Sequence, residues 1–307
     1  MDSYQDNTLM STKKNLHIPQ VDASLDKPLD ADSPPTIYGT ALTPELATAS
    51  LNLSIDFMKQ QQATANKFLL FHPFTLFAIS MFLVTYWALN LVYPGSIPST
   101  SVAGYLFQFV IVNKKYIGSG LLFTVILTSF VFTILSRVTD SYFRRKIAEI
   151  TDSKGEVVFG VNLQNLVQSL NKKESQPPQS KNTHIVVYRE TPISLITINE
   201  NKALSSPDSL VMAISSIGSR KVYLNSGILE DLLDWAMIRT RAIAKEGKYD
   251  DSMKMLLAVY SFDQDMKNVL KSKGFKMLQS VSVKDNRILG GLFGVKTELW
   301  GVQFRIE

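Results

Sequence analysis

The 307-residue chain contains no cysteine, which removes disulfides, thiolate metal sites and a cysteine nucleophile. Histidine is almost as scarce: His17, His72 and His184 are scattered without ligand spacing, so no metal site is expected. Two long stretches, Phe68 to Tyr93 and Tyr116 to Ser136, hold no charged residue at all. Without ionisable groups they offer no marker of an ion path, which argues against a channel or transporter subunit. Residues 1 to 33 lack the basic start and short apolar core of a cleavable signal peptide.

Both uncharged stretches reach the roughly 20 apolar residues needed to cross a bilayer core about 30 Å thick. They predict a transmembrane hairpin of two helices, since each backbone amide in lipid must be satisfied within its own segment. Two buried helices of a soluble protein would be the other reading, and the lack of any interrupting charge argues against it. The intervening loop holds Pro94, Pro98, Lys114 and Lys115, and the apolar run Ala103 to Val112 either lies in the interface or lengthens the second span. Lys59 and Lys67 precede the first span, and Arg137, Arg144, Arg145 and Lys146 follow the second. The excess of positive charge outside the hairpin loop therefore places both termini in the cytosol. With the first span acting as an uncleaved signal anchor, the expected location is the endoplasmic reticulum membrane. The net charge of +5 is spread along the polar segments and around the spans rather than gathered in one patch, so no nucleic-acid partner is expected.

Taken in order, residues 1–33 read as a disordered cytosolic tail and residues 34–67 as an extended segment followed by an amphipathic helix. In that helix Thr43 is the expected cap, Pro44 the first residue, and Leu46, Leu53, Phe57 and Met58 share a face. Residues 68–136 form the hairpin and 137–182 a membrane-proximal helix and linker. Residues 183–307 alternate short strands and helices: strands over His184–Arg189 and Ile193–Asn199 divided by Thr191-Pro192, a third over Leu210–Ile217, and a helix over Gly227–Lys245. A strand over Met253–Phe262 follows, then a helix over Met266–Lys273 capped by Asp263, a strand from Phe275, and a last strand over Thr297–Ile306. The expected fold class is α+β, a mixed but mostly antiparallel sheet with covering helices attached to a two-helix hairpin.

Within that domain, the strand, turn and helix from Ile214 through Leu233, with the later Asp263-Gln-Asp-Met-Lys-Asn-Val-Leu-Lys-Ser-Lys-Gly-Phe275, resemble the core of the GNAT acetyltransferases. The resemblance implies a loop whose Arg or Gln and glycines, at a helix N-terminus, cradle the pyrophosphate of acetyl-CoA. Gly227-Ile228, Leu232-Leu233 and Gly274-Phe275 fit it. Leu224, however, stands at the loop arginine, Asn225 and Leu229 at glycines, Glu230 and Asp231 add negative charge, and Leu270 replaces the tyrosine general acid. The loop Leu224, Asn225, Gly227, Ile228, Leu229 thus reads as vestigial, with no catalytic residues and no cofactor. A membrane-anchored N-acetyltransferase using acetyl-CoA at the cytosolic face is the alternative.

A second resemblance spans nearly the whole chain: Pro34-Pro35-Thr36-Ile37-Tyr38-Gly39-Thr40, then Leu42-Thr43-Pro44-Glu45-Leu46, the hairpin, and a domain closing on Gly301-Val-Gln-Phe304. It is similar to the fungal packaging chaperones of the high-affinity inorganic phosphate transporter. That likeness implies a non-catalytic membrane protein of the endoplasmic reticulum whose partners are a polytopic phosphate transporter, the bilayer and vesicle-coat components. Gly118, Ser119, Gly120, Thr124 and Thr128 are small or hydroxylated residues that permit close helix approach, to a client's helices or within the hairpin itself.

Overall fold

A computed structural model describes residues 37–92, 101–169, 177–224, 226–247, 249 and 252–305. The tail over 1–33, Pro94, Pro98 and Asn225 lie outside these residues, as does most of the connection from Asn171.

The segment expected to be merely extended is a strand, β1 (Ile37–Ala41), antiparallel to β2 (Thr183–Tyr188) with Gly39 opposite Val186. From Thr43 the chain makes a turn in which the amides of Leu46 and Ala47 donate to the carbonyls of Thr43 and Pro44. Helix α1 (Ala47–Leu70) follows without a side-chain cap, so the Thr43 cap is corrected: backbone turns satisfy the first amides instead. The expected apolar face is there, with Leu53 and Phe57 buried.

Helix α1 passes almost directly into α2 (Pro73–Asn90), the first of two helices long and apolar enough to cross a membrane. Pro73 has no amide to donate to the carbonyl of Leu69, and the hydroxyl of Thr75 donates to that carbonyl instead, at 2.7 Å. The second span belongs to α3 (Val102–Asp152), a helix of 51 residues capped by Ser101. At 1.5 Å per residue α2 is about 27 Å long and α3 about 76 Å, so α3 is far longer than a bilayer crossing needs, and its last turns pack on the sheet through Ile150. Lys114 and Lys115 lie inside this helix, not in a loop as expected. The stretch from Tyr105 to Val112, apolar but for Gln108, carries no helix breaker and extends the α3 pattern toward its start.

Two short helices, α4 (Glu156–Phe159) and α5 (Leu163–Ser169), lead to the sheet. The remaining elements fall close to their expected places: β3 (Thr191–Glu200), β4 (Ser209–Ser219), α6 (Ile228–Gly247), β5 (Ser252–Tyr260), α7 (Gln264–Ser272), β6 (Lys276–Ser282) and β7 (Lys296–Arg305). The β2–β3 turn lies at Arg189 and Glu190, both with positive φ, and not at Thr191-Pro192. Pro192 sits inside β3 beside a bulge that accommodates its missing donor. The seven strands are ordered β1-β2-β3-β4-β5-β7-β6, and β4–β5 is parallel while every other described pair is antiparallel.

Side chains alternate across the sheet. Ile196, Ile198, Met212 and Leu257 meet α6 and α7 on one face, through Leu232, Leu233, Ala236 and Leu270. Ile185, Val187 and Leu195 meet α1, α4, α5 and the end of α3 on the other, through Leu53, Ile150, Phe159 and Leu166. The result is three layers with α1 shared between sheet and hairpin.

Helix α1 approaches the sheet closely at Gly218, where a Cβ would come within 2.6 Å of the Phe57 ring. Gly218→Val should destabilise the chain by about 1–3 kcal/mol through overpacking. Thermal unfolding of the purified full-length protein checks it, and Phe57→Leu in the same chain should restore part of the loss.

Candidate functional site

Two regions qualify: the cleft where the sheet opens, and the hairpin. Strands β4 and β5 pair from Ser209 with Ser252 as far as Ile214 with Leu257, yet both continue, to Ser219 and Tyr260. Beyond Leu257 they diverge. The gap is a cleft of about 300 Å³ lined by Ser215, Ile217, Ala258 and Tyr260 and closed by Phe57, Met58 and Gln61 of α1 and Lys146, Glu149 and Ile150 of α3.

The vestigial loop lies at a smaller neighbouring cleft, about 90 Å³, lined among others by Leu224, Leu229, Asp263 and Asp265. Leu229 is buried and Leu224 and Ile228 pack on the core, so side chains occupy the space where backbone amides would have to meet a phosphate. Glu230 and Asp231 lie in the first turn of α6. Asp263 caps α7 by accepting from the Met266 amide at 3.1 Å. Burial pushes its carboxyl above the ordinary value, opposed by that amide and by Lys267. Two carboxylates at the start of α6 and two at the start of α7 each disfavour an anion at their helix N-terminus. Leu270 is fully buried, far from any role as an acid. The phenol of Tyr260 is raised well above its usual range by burial and by its contact with the hydroxyl of Tyr142 at 3.1 Å, so it is a poor proton donor.

In the hairpin the five small or hydroxylated residues divide. Ser119 shares a hydrogen bond with the hydroxyl of Tyr86 at 2.7 Å, Gly120 is buried where a Cβ would meet the Trp87 indole at 2.5 Å, and Thr124 donates to the carbonyl of Gly120. Ser119 and Gly120 serve the seam between α2 and α3, where Tyr86 also stacks on Phe123 at 5.0 Å, whereas the bond of Thr124 stays within α3. Gly118 is exposed, with nothing within 4 Å of a Cβ, and Thr128 is partly buried on α3.

Sequence reading did not single out Asn113 or the pair Asn66 and Thr139. Asn113 is fully buried: its amide nitrogen donates to the carbonyls of Val92 and Phe109, and its oxygen accepts from the Val92 amide at 2.9 Å. It ties the end of α2 to α3, and an isolated Asn in an apolar helix was the available signal. At the other end the hydroxyl of Thr139 donates to Asn66.

Two helices long and apolar enough to cross a membrane, joined to an α+β domain, point to a membrane-associated protein. The family model for the inorganic phosphate transporter chaperone Pho86 matches residues 19–304, and the chain belongs to that family. It is a phosphate transporter chaperone. No individual curated protein is similar enough to match. Among solved structures, a GNAT-family acetyltransferase of Streptococcus pneumoniae is similar at 17% identity, covering 47% of this chain and 77% of that one, with a TM-score of 0.32. Naa50 of Arabidopsis thaliana, in complex with a bisubstrate analogue, is similar at 14% identity over 39% of this chain and 71% of that one, TM-score 0.30. Ard1 of Thermoplasma volcanium is similar at 12% identity over 47% and 80%, TM-score 0.31.

On the far side of the sheet His184 stacks on Trp235 of α6 at 4.8 Å, and burial holds its imidazole below the ordinary 6.5. The folded chain thus takes up this proton less readily than the unfolded chain, so stability present above pH 6.5 is lost as pH falls from there toward the lower folded value. Melting temperature measured from pH about 7 to about 5 should decline more steeply for the native chain than for His184→Phe.

Proposed function

We propose that the chain is a resident of the endoplasmic reticulum membrane, with both termini cytosolic, that shields the new phosphate transporter and licenses its exit in coated vesicles without catalysing a reaction. The observation that carries this reading is the bareness of the hairpin: Thr75 is the one residue buried in α2, while Phe77, Val84, Leu121, Val125 and Phe130 all stand outward. Two helices meeting along a narrow seam leave apolar faces to lipid or to a client's helices. They are too few to build the midplane site that a secondary transporter makes between repeats.

Gly118, open on α3, allows a client helix to approach closely, and Thr128 offers a hydroxyl to it. Ser119, Gly120 and Thr124 support the hairpin that presents them. Residues 183–307 form the cytosolic domain together with β1 and α1, and its outer surfaces are available to client loops or coat components. Leu224 and Leu229 on the smaller cleft, with Asp263 and Asp265 beside them, support the absence of acetyl transfer.

In cells lacking this protein the tagged phosphate transporter should remain in the endoplasmic reticulum while other transporters reach the surface. Normal arrival of the phosphate transporter would sink the proposal. Calorimetry of the full chain with acetyl-CoA should give no heat of binding, and micromolar affinity would favour the acetyltransferase alternative. For topology, the sequon Asn52-Leu53-Ser54 should stay bare. An endoglycosidase-sensitive mobility shift lost in Asn52→Gln would put the N-terminus in the lumen.

A further inference from the structure

The segment between β6 and β7 reaches the place where the chain enters the membrane. Val283, Leu289, Phe293 and Val295 share a core with Ala65 and Leu69 of α1 and Leu135 and Phe143 of α3. The Phe293 ring meets His72, the cap of α2, edge-on at 5.2 Å, and Phe74, in the first turn of α2, at 6.1 Å. Since α2 is apolar from Pro73 onward, these contacts set the segment at the level of the cytosolic leaflet.

Residues Ile288–Leu292 form one wide helical turn there. Leu289 and Gly290 are buried on its inner side, and Gly290 lies so close to the Val283 carbonyl that a Cβ would come within 2.0 Å. The turn is thereby fixed against the body. Its outer side carries Ile288, 42% exposed, and Leu292, 49% exposed, and the adjoining Phe293 packs on the outward Phe74. Exposed Lys284 and Arg287 flank it, with Asp285 the nearest carboxylate and Lys67 and Arg137 exposed on the adjoining helices. A rigid turn with aliphatic tips, a cationic rim and aromatic neighbours suits an interface of acyl chains and anionic headgroups.

We infer that Ile288 and Leu292 insert into the cytosolic leaflet, with Lys284 and Arg287 on anionic headgroups, holding the sheet domain flat against the bilayer. This rests on the reading of α2 and α3 as membrane spans. The native chain has no cysteine, so single cysteines can be labelled with an environment-sensitive NBD dye in the full-length protein. Vesicles of phosphatidylcholine with and without phosphatidylserine, carrying doxyl-lipid quenchers, supply the bilayer. Label at Leu292→Cys should emit blue-shifted and be quenched, whereas label at Leu204→Cys, in the β3–β4 loop, should not. Adding Lys284→Glu and Arg287→Glu should lower the quenching in phosphatidylserine vesicles to the level seen without that lipid. Water-like emission at residue 292 overturns the inference, as does blue-shifted emission that doxyl lipid leaves untouched, which would mean a protein contact such as a second copy. Quenching that ignores both phosphatidylserine and the charge reversals overturns the headgroup contact. Label at Val125→Cys, in mid-α3, tests the spans themselves: if it too escapes quenching, the membrane reading fails first.

Discussion

Below the membrane, α1 and α3 lie side by side, with Ala65 and Leu69 of one against Leu135 and Phe143 of the other and Thr139 donating to Asn66 across them. The rest of the molecule depends on this pairing. The first half of α1 lies on the sheet through Leu53 and Phe57, and its last residues run into α2 with only a proline break between. Helix α3 does the same from the other side, since Ile150 is in the sheet-facing core while residues before Ser136 are in the span. The sheet is therefore oriented on the spans by helix packing and not by a linker. A break in either helix would cost its backbone hydrogen bonds, and the Thr75 hydroxyl repairs the one place where proline forces such a break.

The same helix decides the fate of the cleft. Parallel strands that diverge leave a gap in which a ligand would be expected, and here Phe57 enters it against Gly218. Burying that ring contributes about 1.5–3 kcal/mol, which any cofactor seeking the same volume would forfeit. Around the neighbouring helix start, carboxylates stand where a phosphate would want amides and cations.

The polar domain was largely legible because its strands and helices carry the alternation and capping that encode them locally. Asp263 did cap its helix, and β3, β4, α6, β5 and β7 lie within a few residues of their expected positions. Strand β1 was not legible, since five residues after two prolines carry no period and become a strand only by pairing with β2. The β2–β3 turn was misplaced because Pro192 is a strong turn signal, and only the bulge in β3 shows how it fits inside the strand. In the hairpin, the small residues were visible but their division was not: whether Gly118 or Gly120 meets a neighbour depends on which face α3 turns toward α2.

Composition and hydropathy alone determined that the chain holds two long apolar segments and that thiol chemistry is absent, because each is a property of residue type at a position. Which residues close the cleft, which tie the hairpin, and which turn meets the bilayer surface were decided only by tertiary structure. Phe57 and Gly218 are separated by more than half the chain, as are Phe293 and His72, and no local pattern carries the information that they touch.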